Sequence, residues 1–202
     1  MFFSFDGIDG VGKTTQMQQF CAWLAEQGCD VVTCRDPGST ALGENLREIL
    51  LASDESTPIC ALSEMLIYMA ARAQLVEEVI RPALTAGKTV VSDRFLLANV
   101  VYQGYAGGLD VQQVREVGRI ATSGLVPDCT FLLDMAPRAA SARMGDSLDR
   151  VERRGEDYRV ALRQGFLEEV ARLGPAFHTI DAERSIDAVQ AEIRSIGSSV
   201  LS

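Results

Sequence analysis

The stretch Gly7-Ile8-Asp9-Gly10-Val11-Gly12-Lys13-Thr14-Thr15 constrains this chain more than any other feature. It fills the pattern G-x-x-x-x-G-K-[ST] completely, between the apolar run Phe2–Asp6 and an amphipathic segment. A strand that turns through glycines into a helix is the context in which that pattern has physical meaning. The glycines let backbone N–H groups converge on one anion, and the helix starting near Lys13 adds the positive end of its dipole. Lys13 is expected to reach the outer phosphates of a triphosphate, and the Thr14 hydroxyl to meet a magnesium ion. Asp9 is the unusual member. A carboxylate beside a triphosphate is repelled, so Asp9 is expected to turn toward another ligand group, such as a sugar hydroxyl.

The remaining pattern alternates short apolar runs with longer amphipathic ones. Strands are expected at Phe2–Asp6, Asp30–Cys34, Thr89–Ser92, Cys129–Leu133 and Ala176–Ile180. Helices are expected at Lys13–Gln27, Leu42–Leu51, Ala61–Ala86, Leu96–Gln103, Val111–Ser123 and Ile186–Ile196. This alternation predicts an α/β P-loop fold of three layers, a five-stranded parallel sheet with helices on both faces. Residues 1–202 read as one domain. Within the Ala61–Ala86 helix the core stripe is expected at Leu62, Leu66, Met69, Ala73, Val76 and Ile80.

Ligands of such sheets sit beyond the carboxyl ends of the strands, so the residues that follow each strand are the candidates. After the second strand come Arg35-Asp36-Pro37-Gly38-Ser39-Thr40, and after the third Asp93-Arg94. Asp93 suits a contact to magnesium or its water, and Arg94 can hold a phosphate through two N–H donors. Tyr68 and Arg72 lie four apart and face one way, an aromatic plane beside a guanidinium that can hold a nucleobase. Asn99, Tyr102 and Gln103 form a second set at helical spacing. Five arginines, Arg138, Arg143, Arg150, Arg153 and Arg154, surround the Gly145 hinge, which reads as a small closing lid at about residues 141–155.

Composition excludes several classes. The formal net charge is −9, from 19 Lys+Arg against 28 Asp+Glu, which opposes a general nucleic-acid binder. No apolar run is long enough to span a membrane, and the N-terminus does not read as a signal peptide, so a cytoplasmic location is expected. The five cysteines form no C-x-x-C pair and read as reduced, mostly buried thiols. A lone histidine, His178, leaves little for a histidine-based hydrolase or metal site. A hydroxyl acceptor would call for a base. A phosphate monoester, largely dianionic at neutral pH, calls instead for cations, and those the chain has.

The residues in this order resemble the thymidylate kinase family. The resemblance rests on Phe5 through Gln16, on Arg35 through Thr40, on Tyr68-Met69-Ala70-Ala71-Arg72-Ala73-Gln74, on Asp93-Arg94-Phe95, on Asn99 through Gly104, and on Leu148-Asp149-Arg150-Val151-Glu152. It implies transfer of the γ-phosphoryl group of ATP to dTMP, with Mg2+, in a homodimer. The loop residues Gly7, Asp9, Gly10, Val11, Gly12, Lys13, Thr14 and Thr15 would hold ATP, with Asp181 and Ala182 on the adenine side. Asp9 would also meet the deoxyribose 3′-hydroxyl, and Arg35 and Arg94 the dTMP phosphate. Tyr68 would stack on thymine, Arg72 would bond its edge, and Asn99, Tyr102 and Gln103 would line the rest of the acceptor site. Tyr102 would disfavour a 2′-hydroxyl. Thr14 and Asp93 would serve Mg2+. With Val11 at the variable loop position, a lid arginine, Arg143 or Arg150, would join Lys13 and Arg94 in catalysis. The chain departs from the common family pattern at Asp6, Asp36 and Ser39, where glutamate, glutamate and glycine are usual, and its lid carries fewer arginines. A kinase for another nucleotide or nucleoside, or a nucleotide-binding protein with little turnover, are the alternative readings.

Overall fold

The strand that leads into the glycine loop, β1 (Phe2–Asp6), is buried at all five positions and forms the middle of the sheet. The computed structural model describes residues 1–51, 58–144 and 155–201. After β1 come α1 (Lys13–Glu26), β2 (Val31–Arg35), α2 (Ala41–Leu51) and α3 (Ala61–Leu75). A π-helical turn, Val76–Ile80, joins α3 to α4 (Arg81–Thr85), and β3 (Thr89–Asp93) follows. Next are α5 (Leu96–Asn99), a second π-helical stretch Val100–Tyr105, α6 (Val111–Ala121), β4 (Cys129–Asp134) and α7 (Pro137–Ser141). The chain closes with α8 (Glu156–Leu173), β5 (Phe177–Asp181) and α9 (Ile186–Leu201).

All four strand pairings are parallel, in the order β2-β3-β1-β4-β5. From β1 the chain passes to the edge strand β2, returns to β3 beside β1, and then crosses to β4 and β5 on the other side, so the crevice at the carboxyl end of β1 lies where the order reverses. That is where a sheet of this kind binds ligands. β3 and β4 are buried almost throughout, as expected of strands covered on both faces, while the edge strands β2 and β5 are only partly covered. Phe3, Phe5, Phe20 and Phe131 pack as one aromatic cluster, with Phe3 and Phe131 parallel at 6.1 Å between ring centres and Phe20 edge-on to Phe131 at 5.3 Å.

The five expected strands and six expected helices are present, with two differences of form. The long helix beginning at Ala61 is interrupted. Pro82 lacks an N–H and crowds the carbonyl four residues back, and just before it the ladder widens so that the Arg81 N–H bonds the Val76 carbonyl. The helix from Leu96 also widens after Asn99, where the Ala106 N–H bonds the Val101 carbonyl at 3.0 Å.

Two expectations need correction. Of the expected stripe Met69, Val76 and Ile80 are buried, but the buried face of α3 is made by Glu64, Met65, Met69, Ala71, Arg72 and Leu75, whereas Leu62 and Leu66 are 55% and 48% exposed. The face turned inward combines apolar residues with two charged ones, Glu64 and Arg72, whose polar groups are held in a buried network. Between β4 and β5 the sequence pattern assigned no helix, yet α8 runs for 18 residues. Its inner face mixes Leu162, Phe166 and Val170 with Gly165 and the buried Glu169, which blurs the apolar period. Glu169 is held by Arg115 and Arg172, and Gly165 lets α8 approach Tyr105, since a Cβ there would lie 2.7 Å from that side chain. Of the cysteines, Cys34 and Cys129 are buried, Cys21 and Cys29 half-buried and Cys60 exposed, all as free thiols. No helix among the described residues is long and apolar enough to cross a membrane.

Phe131 fills the centre of the aromatic cluster, so Phe131→Ala is expected to cost about 3–5 kcal/mol of folding free energy. Urea unfolding measures this; a loss under about 1 kcal/mol would show that the cluster is not the packing centre.

Candidate active site

The glycine loop leaves β1 at Gly7 and is pressed against the neighbouring layer. A Cβ on Gly10 would lie 2.2 Å from the Ala140 carbonyl oxygen of α7, and one on Gly7 would lie 2.5 Å from that of Leu133. Both also have positive φ, at +86° and +135°, so glycine is required twice over. α1 begins immediately after Gly12, and its first residue, Lys13, is buried. The ammonium donates to the carbonyls of Gly7 at 3.1 Å and Ile8 at 2.9 Å and lies 3.4 Å from Asp9. Burial and the neighbouring Arg94 charge both lower the Lys13 pKa.

Asp9 is the meeting point of the charges. It pairs with Arg94, contacts Lys13, and accepts from the Tyr102 hydroxyl at 3.2 Å. Burial alone would raise its pKa, but the Arg94 and Lys13 charges and the Tyr102 bond hold it well below the usual carboxylate range. Arg94 also donates to the Gly7 carbonyl at 3.1 Å and lies over the Tyr102 ring, 5.0 Å from its centre. Its backbone sits at φ +67°, a conformation rare for a residue with a side chain, held by Arg94 N–H to the Phe5 carbonyl and Ser92 Oγ to the Arg94 carbonyl. Backbone strain maintained by its surroundings is a mark of functional positions.

Two chambers meet at these residues. The larger, about 750 Å3, runs along the glycine loop and the start of α1, past Val11, Thr14 and Thr15, to Arg143, Ala182 and Arg184. Asp93 and Arg35 also face it. The smaller is walled by Tyr68, Arg72, Asn99, Tyr102 and Gln103. Asp9, Asp36, Arg47 and Arg94 line both, and form the neck between them. The acceptor-side residues expected from sequence are therefore gathered in one place.

Some expected residues are differently engaged. Arg35 reaches the large chamber but is half-exposed and paired with Glu44 through two oxygens, at 3.1 and 2.9 Å. Arg72 is fully buried, donating to Asp36 at 2.5 Å and to Asn99 at 2.6 Å. Asp181 is exposed and outside the chamber wall; its Oδ1 accepts the Glu183 N–H at 2.9 Å, shaping the turn that presents Ala182. Arg143 donates to the Ala182 carbonyl at 3.4 Å. Arg150, and most of the expected lid, lie outside the described residues.

Three residues emerge only in the fold. Arg47, on α2, donates to the Pro37 carbonyl at 3.1 Å and lines both chambers. Arg184 follows β5 and lines the far end of the large chamber. Gln16 ties α1 to the same region through the Ile186 carbonyl at 3.0 Å. A basic residue one helical turn past the Glu44 partner of Arg35 was the available signal for Arg47; Arg184 offers none beyond its place after a strand.

The thymidylate kinase family model matches residues 5–193. The chain belongs to the thymidylate kinase family. The thymidylate kinase of Rhodopirellula baltica is 44% identical over 191 residues, covering 95% of this chain and 77% of its own. That of an Exiguobacterium species is 44% identical over 197 residues, covering 96% and 92%. A crystal structure of thymidylate kinase from Ehrlichia chaffeensis superposes with a TM-score of 0.81 at 28% identity, over 97% of both chains.

The residues present fit a magnesium ion. Among the described residues, one oxygen of Asp93 is buried without a hydrogen-bond partner, and Thr14 faces the same chamber. Asp93 and Thr14 offer the one or two hard oxygen ligands suited to an ion shared with phosphates.

Asp6, where the family usually has glutamate, is fully buried at the end of β1. Burial raises its pKa to about 7, against the opposing charges of Arg94 and Lys13, and its Oδ1 has no partner among the described residues. Between the unfolded value near 3.8 and the folded value the native chain holds a proton the unfolded chain has released. That contribution to stability is complete at low pH and is lost as pH rises through about 7. Asp6→Asn is expected to lose less stability than the parent between about pH 5 and pH 7.5 in urea unfolding, by up to ~1.4 kcal/mol per pH unit. Equal losses in the two proteins would contradict the assignment.

Proposed function

We propose that ATP occupies the large chamber and dTMP the small one, so that the acceptor phosphate meets the γ-phosphate at the neck lined by Asp9, Arg47 and Arg94. The chain is a phosphotransferase that converts dTMP to dTDP. What carries this arrangement is the joining of a glycine-loop chamber to a polar, aromatic chamber through a neck with two arginines.

In this reading the N–H groups of residues 10–15 hold the β- and γ-phosphates, and Lys13 leaves its two carbonyl partners to follow the transferring group. A phosphate oxygen of dTMP attacks the γ-phosphorus, the bond from that phosphorus to the bridging oxygen breaks, and ADP leaves. No proton must be removed, because the attacking oxygen is already ionised. Arg94 and Arg47 offset the repulsion between the two anions, and Arg35 and Arg143 add charge at the rim. Mg2+, held by Thr14 and Asp93, would offset charge on the phosphates and help align them. Asp9 exchanges part of its pairing for the deoxyribose 3′-hydroxyl, and Tyr102 crowds the sugar so as to disfavour a ribose. Arg72, Asn99 and Gln103 bond the base, and Tyr68 covers its face. Ala182 and Arg184 sit at the adenine end.

The whole chain reads as one domain acting as a homodimer. Leu42 and Ile49 on α2, Leu62 and Leu66 on α3 and Ile120 on α6 are large apolar side chains left exposed on helices that pack against one another. A second copy covering that face accounts for them better than solvent does. A Leu62→Glu/Leu66→Glu variant is expected to be monomeric by light scattering while the parent is dimeric; a parent that is monomeric at micromolar concentration would contradict this.

ADP release with a panel of acceptors tests the activity: dTMP is expected to be preferred over dCMP, dAMP, dGMP and thymidine. Lys13→Ala is expected to lower kcat by about 10²–10³. Turnover independent of dTMP, or near-normal kcat in the variant, would refute the arrangement.

A further inference from the structure

Behind the small chamber lies a chain of buried hydrogen bonds that runs in one direction. Arg72 donates to the Asn99 side-chain oxygen at 2.6 Å, the Asn99 amide nitrogen donates to Gln103 Oε1 at 2.5 Å, and Gln103 Nε2 donates to Glu64 Oε1 at 2.9 Å. Each of the four side chains is at most 2% exposed. Three of them line the chamber; Glu64, on α3, stands behind Gln103 and is absent from the wall.

The two amides in the middle could each face either way on shape alone, because the oxygen and NH2 ends of an amide are nearly the same size. The ends of the chain remove that freedom. A guanidinium has only donors, so Asn99 must turn its oxygen to Arg72 and its NH2 to Gln103. A carboxylate accepts, so Gln103 must turn its NH2 to Glu64 and its oxygen to Asn99. Both ends demand the same direction. Gln103 Oε1 keeps a second lone pair, while the Gln103 NH2 is drawn away toward Glu64.

We infer that Glu64 is a positioning residue for base selection: it locks the Gln103 amide so that an acceptor is offered to the base beside the donors of Arg72. This rests on the small chamber being the acceptor-base site. Thymine and uracil carry a donor at N3 and an acceptor at O4, which match an amide oxygen and a guanidinium. Cytosine carries an acceptor at N3 and a donor at N4, which meet the same pair with both signs reversed. A site with fixed buried polar groups rejects the mismatched base strongly, because the mismatch leaves those groups unpaired. A buried carboxylate is costly to hold, and its use here is orientation rather than stability. Gln103 lies in the π-helical stretch Val100–Tyr105 and Glu64 one turn above Tyr68 on α3, so the two elements that wall the chamber also carry the lock.

The test compares dTMP with 5-methyl-dCMP, which keeps the methyl group and reverses only the N3 and C4 polarity. The parent enzyme is expected to prefer dTMP by about 10³ or more in kcat/KM. Glu64→Gln, the same size without the fixed acceptor, is expected to reduce that ratio at least tenfold, through the KM of the pyrimidine nucleotide with the KM of ATP unchanged. Glu64→Gln combined with Asn99→Asp conserves net charge and reverses the demand at both sides of Gln103, so its NH2 now faces the carboxylate introduced at position 99 and its oxygen the amide introduced at position 64. That double variant is expected to lower the ratio at least a further tenfold. Asn99→Asp alone, which sets Gln103 between two carboxylates, is expected to be the poorest on dTMP. Ratios within twofold of the parent in both Glu64 variants, at comparable Tm, would overturn the inference, as would a parent that uses the two acceptors equally. If the single variant fails to fold, the charge-conserving double variant and the parent's own ratio decide. A parent that phosphorylates no pyrimidine nucleotide would instead overturn the assignment of the chamber.

Discussion

Asp9 is the carboxylate on which the cations of the cleft converge. Lys13 comes to it from the start of α1, Arg94 from the end of β3, and Tyr102 from the π-helical stretch beyond. Those three elements are brought together only because β1 and β3 are parallel neighbours whose carboxyl ends finish at the same edge. A buried ammonium and a largely buried guanidinium would be expensive without a counter-charge. Asp9 supplies it in the free protein, and substrate phosphates can take it over when they arrive. The same carboxylate thus stabilises the cleft and leaves its cations free to be redirected.

The chain's overall acidity does not conflict with polyanionic substrates. Net charge describes the long-range field, while the chemistry depends on the few groups that converge at the neck. Arg35, Arg47, Arg94, Arg143 and Arg184 face the large chamber together with Lys13, so the local balance is basic within a protein of net charge −9. Several of these cations have carboxylate partners, as Arg35 has Glu44 and Arg184 has Glu192. Those pairs are half-exposed, so exchanging a carboxylate partner for a phosphate costs little.

How much of this was legible in the sequence follows from how local each signal is. The loop between β1 and α1 is continuous along the chain, so its form could be read from spacing and the requirement for glycine. Arg35 and Asp93-Arg94 were legible because they end strands, and a parallel sheet gathers strand ends at one edge. The family motifs pointed to Tyr68, Arg72, Asn99, Tyr102 and Gln103 as candidates, and the fold brings them to one chamber. What failed was the assumption that burial follows apolarity. On α3 the inner face carries Glu64 and Arg72, whose polar groups are satisfied by Asp36, Asn99 and Gln103, elements distant in sequence. On α8, Glu169 is neutralised by Arg172 three residues on and by Arg115 from α6, the second invisible to any local window. Arg47 and Arg184 gain meaning only when α2 and the turn after β5 are placed at the cleft. These misses share one cause: a polar or charged residue is buried or aimed with the help of a partner distant along the chain.

The central claim is that one continuous, cation-lined cleft holds two anionic nucleotides end to end. A single molecule joining adenosine to thymidine through five phosphates tests it most directly by titration calorimetry. The account predicts one molecule bound per chain, tighter than dTMP by at least about 10²-fold because both sites are engaged at once, with competition against ATP and dTMP alike. Binding that is displaced by one nucleotide but not by the other, or that is no tighter than either alone, would contradict it.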